Sequence, residues 1–252
     1  VELGEMLGHG LEKAVYEHKN NPDKVIGVYI KGWKRSPEVT KARCYLTNIL
    51  HMLYPKWFYH MSQVGHEQLY KKGTQKTANY FVADKLKLGE DHKRMEKMGY
   101  LGDQTEMQAI DDMLRSDPKY IEFIEEMDRI GLLHGANSTL IGIETTTANF
   151  SKDPEGNLQF VDTVDPFLEM NVSPRPEEIE MSFDPDKLRT RITEKLAADE
   201  QSQALAYLER ILALRKDLEA KFKEERAKDK IELEKFHAKS QREWKRKFGK
   251  KK

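Results

Sequence analysis

The chain has 252 residues, 38% apolar and 34% charged, with a mean hydropathy of -0.77. Globular domains usually carry roughly 45–50% apolar and about 25% charged residues, so this is a polar chain with room for one large domain, or two small ones and an appendage. No apolar run approaches the ~18 residues of a membrane-spanning helix, and no basic-then-apolar leader opens the sequence. The single cysteine, Cys44, excludes an intramolecular disulfide framework and a cysteine zinc cluster. A reducing, cytoplasmic location is expected. The formal net charge of zero hides an asymmetry: residues 239–252 carry a net of +7 and the other 238 residues a net of -7. A basic end on an acidic body suits an anionic partner, or contact with the body itself.

In chain order, residues 5–31 read as strands, with turn residues Asn20, Asn21, Pro22 and Asp23 before the β-prone run KVIGVYI. Ser36 and Pro37 predict a helix start, as N-cap and first helical residue. Leu46, Ile49, Leu50 and Leu53 continue that helix until Pro55 ends it. The segments WFYHMSQVG and NYFVADKLKLG predict two more strands, making four or five strands and one helix by about residue 90. The stretch DQTEMQAIDDMLRS predicts an amphipathic helix with Met107, Ile110, Met113 and Leu114 on one side. Pro118 opens the next helix, with Tyr120, Phe123, Ile124, Met127 and Ile130 as its apolar face and Gly131 as its cap. Pro154-Glu155-Gly156-Asn157 predicts the turn of a short hairpin. Residues 168–187 read as a loop or linker, and from Leu188 the pattern is helical almost to the end. The expected divisions are residues 1–90, 91–187 and 188–252.

Two constellations carry chemistry. In Leu7-Gly8-His9-Gly10-Leu11-Glu12-Lys13-Ala14-Val15-Tyr16, the glycines allow a strand turn to approach a ligand with its backbone N–H groups aimed at phosphates. Further on, Asn149 and Asp162 flank the expected hairpin; an amide oxygen and a carboxylate are hard-oxygen ligands of the kind Mg²⁺ accepts. Glu144, five residues before Asn149, is a candidate proton acceptor. Taken singly, a glycine pair is usually only a turn, and Asn149 and Asp162 suit a turn former and a cap.

The order of these pieces resembles the protein-kinase-like superfamily in a short, divergent form, over about residues 4–167. LGHGLEKAVY resembles the family's glycine-rich loop, matching it at Gly8, Gly10 and Val15, with Lys13 in place of the third glycine. TANFSKDPEGNLQFVDT resembles the catalytic-loop asparagine, the hairpin and the metal-binding aspartate at family spacing. The resemblance implies an α+β, two-lobed fold: an antiparallel N-terminal sheet with one helix and a mainly helical C-terminal lobe, here followed by a long C-terminal helix. It implies Mg-ATP as cofactor, with Asn149 and Asp162 as metal ligands, Glu144 in the catalytic position, and Gly8, Gly10, Lys13, Val15 and Lys31 around the nucleotide. The family's strand lysine falls on Gly27, so Lys31 or Lys13 would neutralise the phosphates. Glu38, near the start of the helix, is the nearest candidate to pair with a lysine. Asp-Phe-Gly is reduced to Asp162-Thr163-Val164, and Pro176-Glu177 only faintly matches Ala-Pro-Glu. A kinase-like protein with weak, atypical or absent phosphotransfer is the expectation.

Other classes have less support. The eight histidines show no H-x3-H or HExxH spacing, and no G-x-S-x-G elbow is present. His51 and His134 read as packing or surface residues, and Cys44 as a buried, inert thiol. The alternative is a non-catalytic binding module. Its basic C-terminal helix, with Trp244 and Phe248 among Arg242, Lys245, Arg246 and Lys247, would contact nucleic acid, a ribosome or another anionic partner.

Overall fold

The computed structural model describes residues 1–9, 13–29, 36–71, 74–89, 104–132, 149–167 and 178–248; beyond Ile231 only the backbone of the last helix is described. Gly10, Lys31, His134, Glu144, Pro176 and Glu177 lie outside the described residues. The architecture is α+β: a five-stranded antiparallel sheet, a two-stranded hairpin and five helices among the described residues.

The sheet comprises β1 (Leu3–His9), β2 (Lys13–His18), β3 (Lys24–Tyr29), β4 (Met61–Lys71) and β5 (Thr74–Asp84), ordered β1-β2-β3-β5-β4. It curls until its edges meet. The Val1 carbonyl accepts from the Tyr70 N–H at 3.0 Å, and Glu2 bridges to Tyr70. Curling turns one face of the sheet inward, where Ile26, Val28, Leu69, Tyr80 and Val82 form a buried cluster with Leu3 and Tyr16 against it. The period-2 alternation sends Tyr29, Phe81 and Ala83 to the opposite face, together with Cys44, Tyr59 and Met61.

Helix α1 (Pro37–Leu53) runs between β3 and β4 in the chain. Ser36 is its N-cap residue and Pro37 its first residue, as the sequence predicts, although the Ser36 hydroxyl bonds to Glu38 rather than to a helix N–H. Glu38 is thereby held at the helix start. The expected strand beginning at Trp57 starts only at Met61. The Trp57 and Phe58 N–H groups both bond to the Tyr54 carbonyl, at 3.0 and 3.2 Å, so the chain turns there. Both rings then pack on Phe123.

Helices α2 (Gln104–Arg115) and α3 (Pro118–Arg129) follow. The Asp117 carboxylate caps α3 by accepting from the Lys119 N–H at 2.8 Å, and Gly131 turns out of it at φ +69°. Met113, expected on the apolar side of α2, is instead 58% exposed, while Leu114 is buried. The hairpin β6 (Phe150–Lys152) and β7 (Leu158–Phe160) turns at Gly156 with φ +76°.

The helical region expected from Leu188 forms two helices: α4 (Pro185–Lys195), capped by Asp184, and α5 (Ala198–Phe248). They part because Leu196 is extended, and Gln201 Nε2 donates to the Leu196 carbonyl at 2.8 Å, stabilising the break. Along α5, Ala204, Leu208, Ile211, Leu218 and Phe222 are buried, and they join Val39, Leu46 and Leu50 of α1, Phe123 of α3 and Phe160 of β7 in one large core. No helix among the described residues is long and apolar enough to cross a membrane.

Candidate functional site

The cross-strand register places Gly8, Val15, Gly27 and Phe81 in one row across β1, β2, β3 and β5. Gly27 has no side chain, and the Phe81 ring lies over it; a Cβ at 27 would overlap that ring. The strand position where the resemblance places a lysine is therefore filled by an aromatic side chain from the neighbouring strand.

Beneath this row lies a cavity of about 590 Å³, within the usual range for a small-molecule site. Leu7, Val15, Val25, Leu86, Leu88 and Val161 supply apolar walls, and Gly8 supplies bare backbone. Phe81 and Tyr59 line it as well. Asp84 and Lys85 stand where β5 leaves the sheet, paired respectively with Lys24 and Glu17. Lys13, at the start of β2, is the remaining lining residue, and its Nζ donates to the Asp162 carboxylate.

The hairpin β6–β7 brings the second constellation to the same place. Its end is tied down by the Phe160 N–H, which donates to the Trp57 carbonyl at 2.8 Å, and by the Val161 N–H, which donates to the Asn149 carbonyl at 2.8 Å. Asn149 and Asp162 therefore leave the open end of one hairpin, next to Val161 in the cavity wall. The Asp162 carboxylate also accepts from the Thr163 N–H at 2.7 Å, and its backbone carbonyl accepts from the Tyr59 hydroxyl at 3.2 Å. Burial pushes the Asp162 carboxyl up, but the charge and hydrogen bond of Lys13, the Thr163 N–H and the charge of Arg43 outweigh it. The group is held below the usual aspartate range. Burial drives the Tyr59 hydroxyl well above its ordinary range, so it stays a donor.

Behind Asp162 lies a pair that the sequence did not single out. Arg43 of α1 is fully buried; its Nε donates to Oδ1 of Asp165, and its Nη2 lies in ion-pair range of the same oxygen. The guanidinium also stacks over the Tyr29 ring of β3, 4.7 Å from its centroid. A sequence signal for it exists, since Arg43 interrupts the apolar stripe of Val39, Leu46 and Leu50 on a buried helix.

Of the sequence-predicted site residues, Gly8, Lys13 and Val15 line the cavity, Asp162 is joined to Lys13, and Asn149 lies across the hairpin end from Val161. Cys44 is buried; its Sγ lies 3.8 Å from the Met61 carbonyl, and burial raises its thiol to about 12, consistent with an inert thiol. His51 holds the Phe58 carbonyl at 2.7 Å and packs against His60, as a structural histidine does. No cluster of three His, Cys, Asp or Glu side chains suited to a metal occurs among the described residues. Asn149 and Asp162, on either side of the hairpin's open end, are residue types that Mg²⁺ accepts as hard-oxygen ligands when phosphate and water complete its shell. No protein-family model matches the chain, and no curated protein matches it.

Proposed function

We propose that the chain binds a magnesium nucleotide, Mg-ATP in the first instance, in the cavity beneath the β1–β2 hairpin, in the manner of the protein-kinase-like superfamily. One observation carries this: an apolar cavity of about 590 Å³ ends on the Lys13–Asp162 pair. The strand order β1-β2-β3-β5-β4, with α1 between β3 and β4 and the Asn149–Asp162 hairpin opposite, supports the same two-lobed family fold.

In this proposal the base lies between Val15, Val25, Leu86 and Val161. Gly8 lets the hairpin backbone approach the phosphates. Lys13 supplies the cation that Gly27 cannot, because Phe81 occupies the space a lysine stem would need. Asn149 and Asp162 would hold Mg²⁺, which when bound offsets the charge of the phosphates. Phosphotransfer would be weak, atypical or absent. A glutamate at 144 is one methylene longer than the aspartate it replaces, and positioning errors of about 1 Å cost roughly 100-fold in rate.

The test is thermal unfolding with and without Mg-ATP. At 100 times the dissociation constant a folded-state ligand adds about 2.7 kcal/mol, which at this size raises the midpoint by roughly 5–10 °C. Lys13→Met and Asp162→Ala abolish the shift while remaining folded. Absence of any shift in the wild-type protein at millimolar Mg-ATP rejects the proposal.

A second reading is favoured by one observation: α5 continues without a break through 239–248, so the basic segment is helical. As a cationic arm it would bind a polyanion such as RNA with an affinity that falls steeply with salt. Deleting residues 239–252 removes that binding and leaves the Mg-ATP shift intact.

A further inference from the structure

The nucleotide site accounts for Lys13 and Asp162 but not for the buried cation behind them. Arg43 projects from the middle of α1 with no solvent exposure. The groups that face it are Tyr29 from β3, Asp165 from the segment after β7, and, through their charge and dipole, Asp162 and Tyr59. Stability does not explain such a residue. Taking a guanidinium out of water costs several kcal/mol, and an apolar side chain of similar volume often serves as well or better. Arg43 is also incompletely served: neither Nη1 nor Nη2 has a hydrogen-bond acceptor among the described residues, and only Nε makes a hydrogen bond.

Geometry does explain it. Asp165 lies three residues after Asp162, and the segment between them carries the Thr163 N–H that bonds to the Asp162 carboxylate. The Nε–H donates to Oδ1 of Asp165 with Nη2 close to the same oxygen, and such a charge-assisted contact from a buried cation anchors the carboxylate. The Tyr29 ring lies against the guanidinium carbon. Three elements, β3, α1 and the segment from Asp162 to Asp165, are thus registered at one buried point.

We propose that Arg43 is a positioning residue of the metal site: by holding Asp165 it sets the turn from which Asp162 reaches the Mg²⁺ of a bound nucleotide. This rests on the nucleotide-binding proposal above. Arg43 touches neither nucleotide nor metal. It acts as an outer-shell partner, whose loss commonly costs 10–100-fold in metal affinity.

The experiment measures ATP-dependent stabilisation as Mg²⁺ is titrated, beside the stabilisation by ATP in EDTA. Arg43→Met removes the charge at similar volume. It is expected to leave the metal-free ATP shift unchanged and to raise the Mg²⁺ midpoint at least about tenfold, whereas Arg43→Lys raises it less than Arg43→Met. Asp165→Asn repeats the test from the other partner should Arg43→Met fail to fold, and the same tenfold shift is expected. A Mg²⁺ midpoint within twofold of wild type in the folded variants, with only the unfolding temperature lowered, overturns the inference and leaves the nucleotide site standing. Absence of any Mg-ATP shift in the wild-type protein overturns both.

Discussion

Gly27 shows how much one residue decides. On sequence it stands only where the resemblance places a lysine; the cross-strand register puts Phe81 opposite, and its ring occupies the space above the glycine. Gly27→Ala is expected to cost about 1–3 kcal/mol by overpacking, read as a lowered denaturant midpoint at constant slope. Adding Phe81→Leu should recover most of the loss; a Gly27→Ala protein as stable as wild type would show that the ring moves aside freely. Lys13 and Asp162 were both legible, since the glycine-rich stretch and the Asn–hairpin–Asp spacing are local patterns. That they touch was not, because 149 residues separate them. Phe81, Tyr59 and Asp165 carried no local signal at all, being ordinary residues in a strand, a turn and an acidic stretch.

Among the elements, helix boundaries were the most legible feature. Ser36-Pro37, Pro118 and Gly131 act within one turn of backbone, so their physics lies in the neighbouring residues. Two boundaries failed for tertiary reasons. Residues 57–60 have strand composition, yet their aromatic rings are drawn into the core around Phe123. The break at Leu196 precedes an otherwise helical sequence and lets α4 fold back to Glu126 of α3. There Arg191, Lys195 and the Tyr54 hydroxyl all bind that carboxylate, at 2.5, 3.0 and 2.8 Å. Burial pushes Glu126 up, but these three partners outweigh it and hold the group at about 2. The unfolded chain therefore takes up its proton first as pH falls. The stabilisation is complete above the ordinary value of 4.5 and is lost progressively from there down to about 2. Glu126→Gln should lower stability at neutral pH by roughly 3 kcal/mol and flatten the acid limb of the stability curve between those two values. An unchanged acid limb in urea unfolding at stepped pH would place the acid sensitivity elsewhere.

For the molecule as a whole, α5 sets the dimensions. Its 51 residues extend about 77 Å at 1.5 Å per residue, far longer than the 17-residue α1 it packs against. The buried face among the described residues stops at Phe222. Leu208→Ala is expected to cost about 2–5 kcal/mol, whereas truncation after Ala238 should leave the unfolding midpoint within a degree of wild type. A large loss on truncation would mean that the distal helix returns to the body. Two kinds of information separate at this scale. The sequence alone determined the α+β class, most of the strand and helix succession, the glycine-containing hairpin, the short hairpin flanked by Asn149 and Asp162 and the charge asymmetry of the tail. Each of these is written in caps, periodicities and turn residues a few positions apart. Only the tertiary structure decided the curl of the sheet, the ring over Gly27, the Lys13–Asp162 junction and the pairing of buried Arg43 with Asp165. Those contacts depend on sheet register and on helix packing, which sum many weak interactions between residues far apart in the chain and leave little trace in any one stretch of it.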